Sequence, residues 1–106
     1  LANNGMIGLE TCFPLVYTVL VKTGLLSLRD AILKMTEAPA RLFRLPVPAL
    51  AAGEPADLTL VDLGREIVYD VSESLSKARN TPFSGMALYG FPVLTMMAGH
   101  TTWEQV

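Results

Sequence analysis

Between Thr11 and Lys22 apolar side chains fall on nearly every side of a helical projection, through Cys12, Phe13, Leu15, Val16, Val19, Leu20 and Val21. Such a segment predicts a helix with neighbours on more than one side, and Pro14 fits it only in the first turn, where its missing N–H is no loss. Ser27 opens a second helix with Asp30 at capping-box spacing; Leu28, Ala31, Ile32 and Met35 share one face, and Arg29, Asp30 and Lys34 the other. A short third helix is predicted with Pro39 in its first turn, ending near Phe43, because Pro46 and Pro48 forbid continuation.

Beyond Pro46 the period changes. Asp57–Leu63, Glu66–Asp70, Met86–Leu88, Pro92–Ala98 and Thr101–Trp103 read as short strands, with a helical turn near Ser72–Ala78 and turns at Gly64, Gly85, Gly90 and Gly99. Val93, Leu94, Met96 and Met97 are apolar on both alternating faces, which predicts a strand covered on both sides, as in the middle of a sandwich. The chain divides near Pro46-Val47-Pro48 into a helical part, 1–46, and a strand part, 47–106, with Ala49–Gly53 as a linker.

Composition narrows the class. With 51% apolar and 17% charged residues in 106, the chain is globular rather than disordered. Its charge of -2 and scattered basic residues carry no footprint for nucleic acid or an anionic membrane. The longest apolar run, Phe13–Val21, is about nine residues against the roughly 18 of a membrane span. The single Cys12 excludes an internal disulfide and fits a reducing cytoplasm. Leu1-Ala2-Asn3-Asn4-Gly5 has neither an initiator Met nor a signal-peptide pattern, so the chain is expected to be a piece of a longer protein.

Little in the chain can do chemistry alone. The only histidine, His100, sits between Gly99 and Thr101 and reads as a solvated turn residue; no H-x-H, H-E-x-x-H or C-x-x-C is present. Cys12 reads as a small core hydrophobe. Asp57, Asp62 and Asp70 stand at strand ends, where turn bonding is their usual role. The remaining feature is Gly5-Met6-Ile7-Gly8, where two glycines before a helix leave backbone amides available to a carboxylate or form a tight turn.

Asn4-Gly5-Met6-Ile7-Gly8-Leu9-Glu10-Thr11-Cys12-Phe13-Pro14-Leu15 resembles the G-[IM]-x-G-[LS]-E-T-x-[FL]-P-L segment of bacterial dihydroorotases. The likeness continues through Leu20–Gly24, Leu26–Leu28, Met35-Thr36 and Pro39-Ala40 to Gly53-Glu54-Pro55-Ala56-Asp57-Leu58, which is similar to the G-x-x-A-D lead-in to the last strands of cyclic amidohydrolases. Asn80-Thr81-Pro82-Phe83, Gly90-Phe91-Pro92-Val93, Gly99 and Trp103-Glu104 follow in the family's order.

The resemblance implies an α/β fragment: the last helices of a (β/α)8 TIM-like barrel, followed by the C-terminal strands of a small β-sandwich built from both ends of the full chain. It implies a cytoplasmic zinc-dependent enzyme that interconverts N-carbamoyl-L-aspartate and dihydroorotate in pyrimidine biosynthesis. A metal-bound hydroxide and an acid/base Asp would act there, with all metal ligands upstream of this chain. The substrate loop of such enzymes runs up to the first glycine of the segment, so Asn4 and Gly5 are the expected substrate contacts. Asn4 departs from the Phe-Gly or Pro-x-Gly of many relatives, which leaves a backbone contact intact and puts a side-chain contact in doubt. Glu10, Thr11 and Pro14 are expected only to fix the start of the helix. The expected partners are the small-molecule substrate, the missing N-terminal part of the same protein and, as an assembly, a second copy in a homodimer. Allantoinases and hydantoinases share the G-x-x-A-D feature and stay open as alternatives, as does a non-catalytic homologue serving as an assembly partner. By itself the 106-residue chain is expected to be inactive and poorly soluble.

Overall fold

The computed structural model describes residues 4–47 and 50–105, so Pro48 and Ala49 of the expected boundary and linker lie outside the described residues. Helix α1 spans Cys12–Val16 and runs on as a π-helical turn, Tyr17–Val21. Pro14 lies in its first turn and is buried, as its sequence position requires. Helix α2 spans Leu28–Met35; Ser27 in extended conformation accepts the Asp30 N–H at 3.0 Å, and its hydroxyl donates to Asp30 Oδ2 at 2.7 Å. Helix α3, Glu37–Leu42, begins two residues before Pro39, which still occupies the first turn. Arg44 at φ 56 closes it with Leu45 N–H on Ala40 C=O and Arg44 N–H on Arg41 C=O, a Schellman end.

The five expected strands are three: β1 Leu58–Val68, β2 Ala87–Met97 and β3 His100–Glu104, antiparallel in the order β1-β2-β3. Gly64, Gly90 and Pro92 do not end strands. They sit at register shifts, where Leu63-Gly64-Arg65 bulges opposite Gly90 and Val93 is extra beside the Val61–Pro92 pair. The expected turn at Ser72–Ala78 shrinks to a 3-10 turn at Val71–Glu73. Ala98 and Gly99, both with positive φ, make the two-residue turn into β3, so His100 begins a strand, exposed, rather than occupying the turn.

Two expectations about burial fail. Cys12 is exposed, because α1 turns Phe13, Pro14 and Tyr17 toward the sheet and the thiol lies at the first helical position off that face. Residues Val93–Met96 are half-buried and Met97 is exposed, so β2 is central within its sheet without being covered on both sides by described residues. The core is sparse: Ala31, Tyr69 and Leu88 are buried, while Leu9, Leu25, Leu42, Leu50 and Leu75 lie open to solvent. The radius of gyration, 15.2 Å, exceeds the ~13 Å of a compact chain of this length. Among the described residues no helix is long and apolar enough to cross a membrane.

The helices reach the sheet at one packed contact. Gly90, buried with φ 88, lies so close to α1 that a Cβ there would stand 3.2 Å from Phe13 Cε1 and from Tyr17 Cδ1. One turn on, the Tyr89 N–H donates to Thr18 Oγ1 at 2.9 Å and the Thr18 hydroxyl donates to the Tyr89 C=O at 3.3 Å. The π turn sets Thr18 against this bulge.

Candidate substrate-contact loop

Gly5 adopts φ 84, and a Cβ there would meet nothing within 4 Å, so glycine serves the backbone conformation rather than space. Its carbonyl accepts Asn80 Nδ2–H at 2.7 Å, and two residues on the Ile7 N–H donates to the Asn80 C=O at 3.1 Å. Asn80, 75 positions from Gly5, therefore holds the loop by side chain and main chain together. Gly5 and Met6 line an open cleft of about 450 Å³ with Arg79, Asn80, Thr81 and Pro82. Arg79 is the one cation in that lining; its guanidinium donates to the Ala78 C=O at 2.9 Å and to the Ser76 C=O. Asn4 is exposed beside the loop.

Gly5 and Gly8 lie in an irregular lead-in to α1, and Ile7, between them, already spends its amide on Asn80. Of the remaining motif residues, neither Glu10 nor Thr11 gives α1 a side-chain cap. Glu10 Oε1 accepts the Leu75 N–H at 3.0 Å, bridging to the loop after the 3-10 turn. Thr11, buried at the N-cap of α1, makes no side-chain cap; its hydroxyl turns back to the Gly8 C=O at 3.4 Å.

The three aspartates each accept from a main-chain N–H, as expected, but Asp62 lies inside β1 rather than at a strand end. Asp62 Oδ1 accepts Gly64 N–H at 2.8 Å and Arg65 N–H at 3.2 Å, organising the β1 bulge. Asp57 Oδ1 takes the Ala98 N–H at 2.6 Å while the Ala56 C=O takes the Gly99 N–H at 3.1 Å, so the Ala-Asp pair clamps the β2–β3 turn and holds a non-glycine residue at positive φ. Asp70 caps the 3-10 turn through Ser72 N–H at 2.8 Å, and this hydrogen bond, with a smaller one from the Ser72 side chain, holds its carboxyl below the usual value. Glu66, the cross-strand partner of Tyr89, pushes the Tyr89 phenol up by hydrogen bonding to it, with Lys22 Nζ 3.1 Å over the ring. Among the described residues no group of three or more His, Cys, Asp or Glu lies together in a way that could hold a metal ion.

Residues 2–102 match the Amidohydrolase family, and the chain belongs to that family. Among curated relatives it is similar to the dihydroorotase of Bacillus subtilis (strain 168), 48% identical over 105 residues, which is 99% of this chain and 24% of that protein. The dihydroorotase of Geobacillus sp. (strain WCH70) is 45% identical over 95% of this chain and again 24% of its own length. The fold is similar to L-hydantoinase (dihydropyrimidinase) from Arthrobacter aurescens, with TM-score 0.87 and 40% identity over 97% of this chain and 23% of that one. The chain thus spans about a quarter of the length of the curated relatives it matches.

Sequence reasoning reached Asn4 and Gly5 through the motif and read Asn80 only as part of a matching Asn-Thr-Pro-Phe segment. No local pattern joins the two, since their contact is made only when the chain returns to its own start.

Proposed function

We propose that the full-length protein containing this chain is a dihydroorotase, with this chain as its C-terminal part. What carries the reading is 45–48% identity to dihydroorotases across 95–99% of the chain. On this reading residues 1–46 complete an amidohydrolase barrel and 47–106 supply strands of a β-sandwich whose remaining strands come from elsewhere in the same protein. The exposed leucines of both halves suit such cover. Asn4 and Gly5 form one edge of the substrate pocket, Gly5 by its backbone.

A dihydroorotate or N-carbamoyl-aspartate carboxylate suits a cleft with exposed main chain and an arginine. Zinc, when bound, supplies a Lewis acid for water attack on the ring amide. On this reading its ligands come from the part of the protein that precedes this chain, and this chain's part is to shape the substrate loop. The full-length enzyme works in the cytoplasm, as a homodimer.

A second reading, hydantoin hydrolysis, is favoured by the fold likeness to L-hydantoinase. Purified full-length protein, assayed side by side on dihydroorotate and on a 5-substituted hydantoin, separates the two. Dihydroorotate turnover at least ~10-fold above hydantoin in kcat/KM, a gap of about 1.4 kcal/mol, is expected, together with loss of activity on chelation and recovery with zinc. Preference for the hydantoin overturns the reading.

A further inference from the structure

A glycine at positive φ is permitted many conformations, so the sequence of the substrate loop does not by itself choose φ 84 for Gly5. The choice is made from the other end of the chain. Asn80 Nδ2 holds the Gly5 carbonyl at 2.7 Å and the Asn80 carbonyl holds the Ile7 amide at 3.1 Å, fixing the peptide planes on either side of Met6.

Asn80 is itself held on a stiff platform. Thr81 Oγ1 accepts the Phe83 N–H at 3.2 Å, Pro82 fixes its own φ, and the Phe83 C=O accepts the Met86 N–H at 3.1 Å. Gly85 N–H then donates to the Tyr69 C=O at 2.7 Å and Tyr69 N–H to the Met86 C=O at 2.9 Å, which extends the β1–β2 ladder to this segment. Hydrogen bonds joined by the short covalent stretch Asn80–Phe83 thus connect the sheet to the loop.

We propose that Asn80 is a positioning residue for substrate: its side-chain amide pre-sets the Asn4–Ile7 loop in the conformation that receives the ligand. The proposal rests on the dihydroorotase reading above. Asparagine alone among residues of this size both spans the gap and presents an N–H donor; an aspartate in its place would face the Gly5 carbonyl with a second acceptor. A pre-ordered loop loses less entropy when ligand binds, so the benefit falls on binding rather than on the chemical step.

The test uses full-length protein with Asn80→Asp, which changes the donor at constant shape, and Asn80→Ala, which removes the group. Two readouts are taken: hydrogen exchange of the peptide covering residues 4–10 without ligand, and KM and kcat for dihydroorotate. Loss of one neutral hydrogen bond predicts roughly 3- to 10-fold faster loop exchange and a KM higher by a similar factor, with kcat within about twofold. Faster exchange with unchanged KM makes Asn80 a structural tether only and overturns the proposal, as does a fall in kcat at constant KM. If the unsubstituted protein does not turn over dihydroorotate, the dihydroorotase reading fails and the loop exchange alone judges the anchor: unchanged exchange in both variants overturns it.

Discussion

The helical and strand halves meet at two seams of opposite construction. At Gly90 the contact is steric: the backbone of β2 comes against Phe13 and Tyr17 so closely that a Cβ would stand only 3.2 Å from either ring, and Thr18 closes the seam by bonding both main-chain polar groups of Tyr89. At the chain start the contact is polar and exposed, made by Asn80 on Gly5 and Ile7 and by Glu10 on Leu75. Close packing changes energy steeply with distance, whereas an exposed hydrogen bond exchanges easily with water. The first seam therefore fixes where the sheet sits on the helices, and the second fixes the shape of a loop at little cost in stability. Placement of the sheet and shape of the loop thus depend on different contacts.

Breaking the steric seam has the largest expected effect. Gly90→Ala combines backbone strain at positive φ with overpacking against Phe13 and Tyr17, a loss of about 3 kcal/mol in the full-length protein, read from the denaturant midpoint. Thr18→Val keeps the shape of the same seam and removes only its hydroxyl, leaving the Tyr89 N–H without its acceptor; about 1–2 kcal/mol is expected by the same measurement. At the polar seam, Glu10→Gln retains an acceptor for Leu75 and removes its charge, and less than ~1 kcal/mol should be lost. A drop as large as that of Gly90→Ala would erase the contrast between the seams.

The smallest effect concerns acid. Asp70 has its carboxyl held below the usual value by the Ser72 N–H, so its folded form prefers the charged state. That contribution is present above the ordinary aspartate pKa of about 3.9 and fades as pH falls through the lower folded value. The stability difference between the unsubstituted protein and Asp70→Asn should therefore be constant near neutrality and shrink in acid. A difference that grows in acid would contradict the cap.

Helices are the legible part of the fold. Ser27-x-x-Asp30, Pro14 and Pro39 state their positions through local rules of capping and missing donors, and all three stand in first turns or caps as those rules require. Strand ends are less legible, because Gly90 and Pro92 read as breakers when taken singly. Only pairing with β1 converts them into bulges inside one strand, since a bulge is a property of two strands. Cys12 departs from its expected burial for a related reason: an all-round apolar helix does not say which side finds a neighbour in this portion of the chain.

The sequence by itself determined the α/β character, the family and the loop that carries Asn4 and Gly5, because caps, turn residues and motif order are written in neighbouring positions. Tertiary structure alone decided that Asn80 governs that loop, that Asp57 clamps the Ala98 turn and that Gly90 admits α1. Each of these joins residues far apart in the chain, and no local propensity encodes a contact whose two halves meet only after folding.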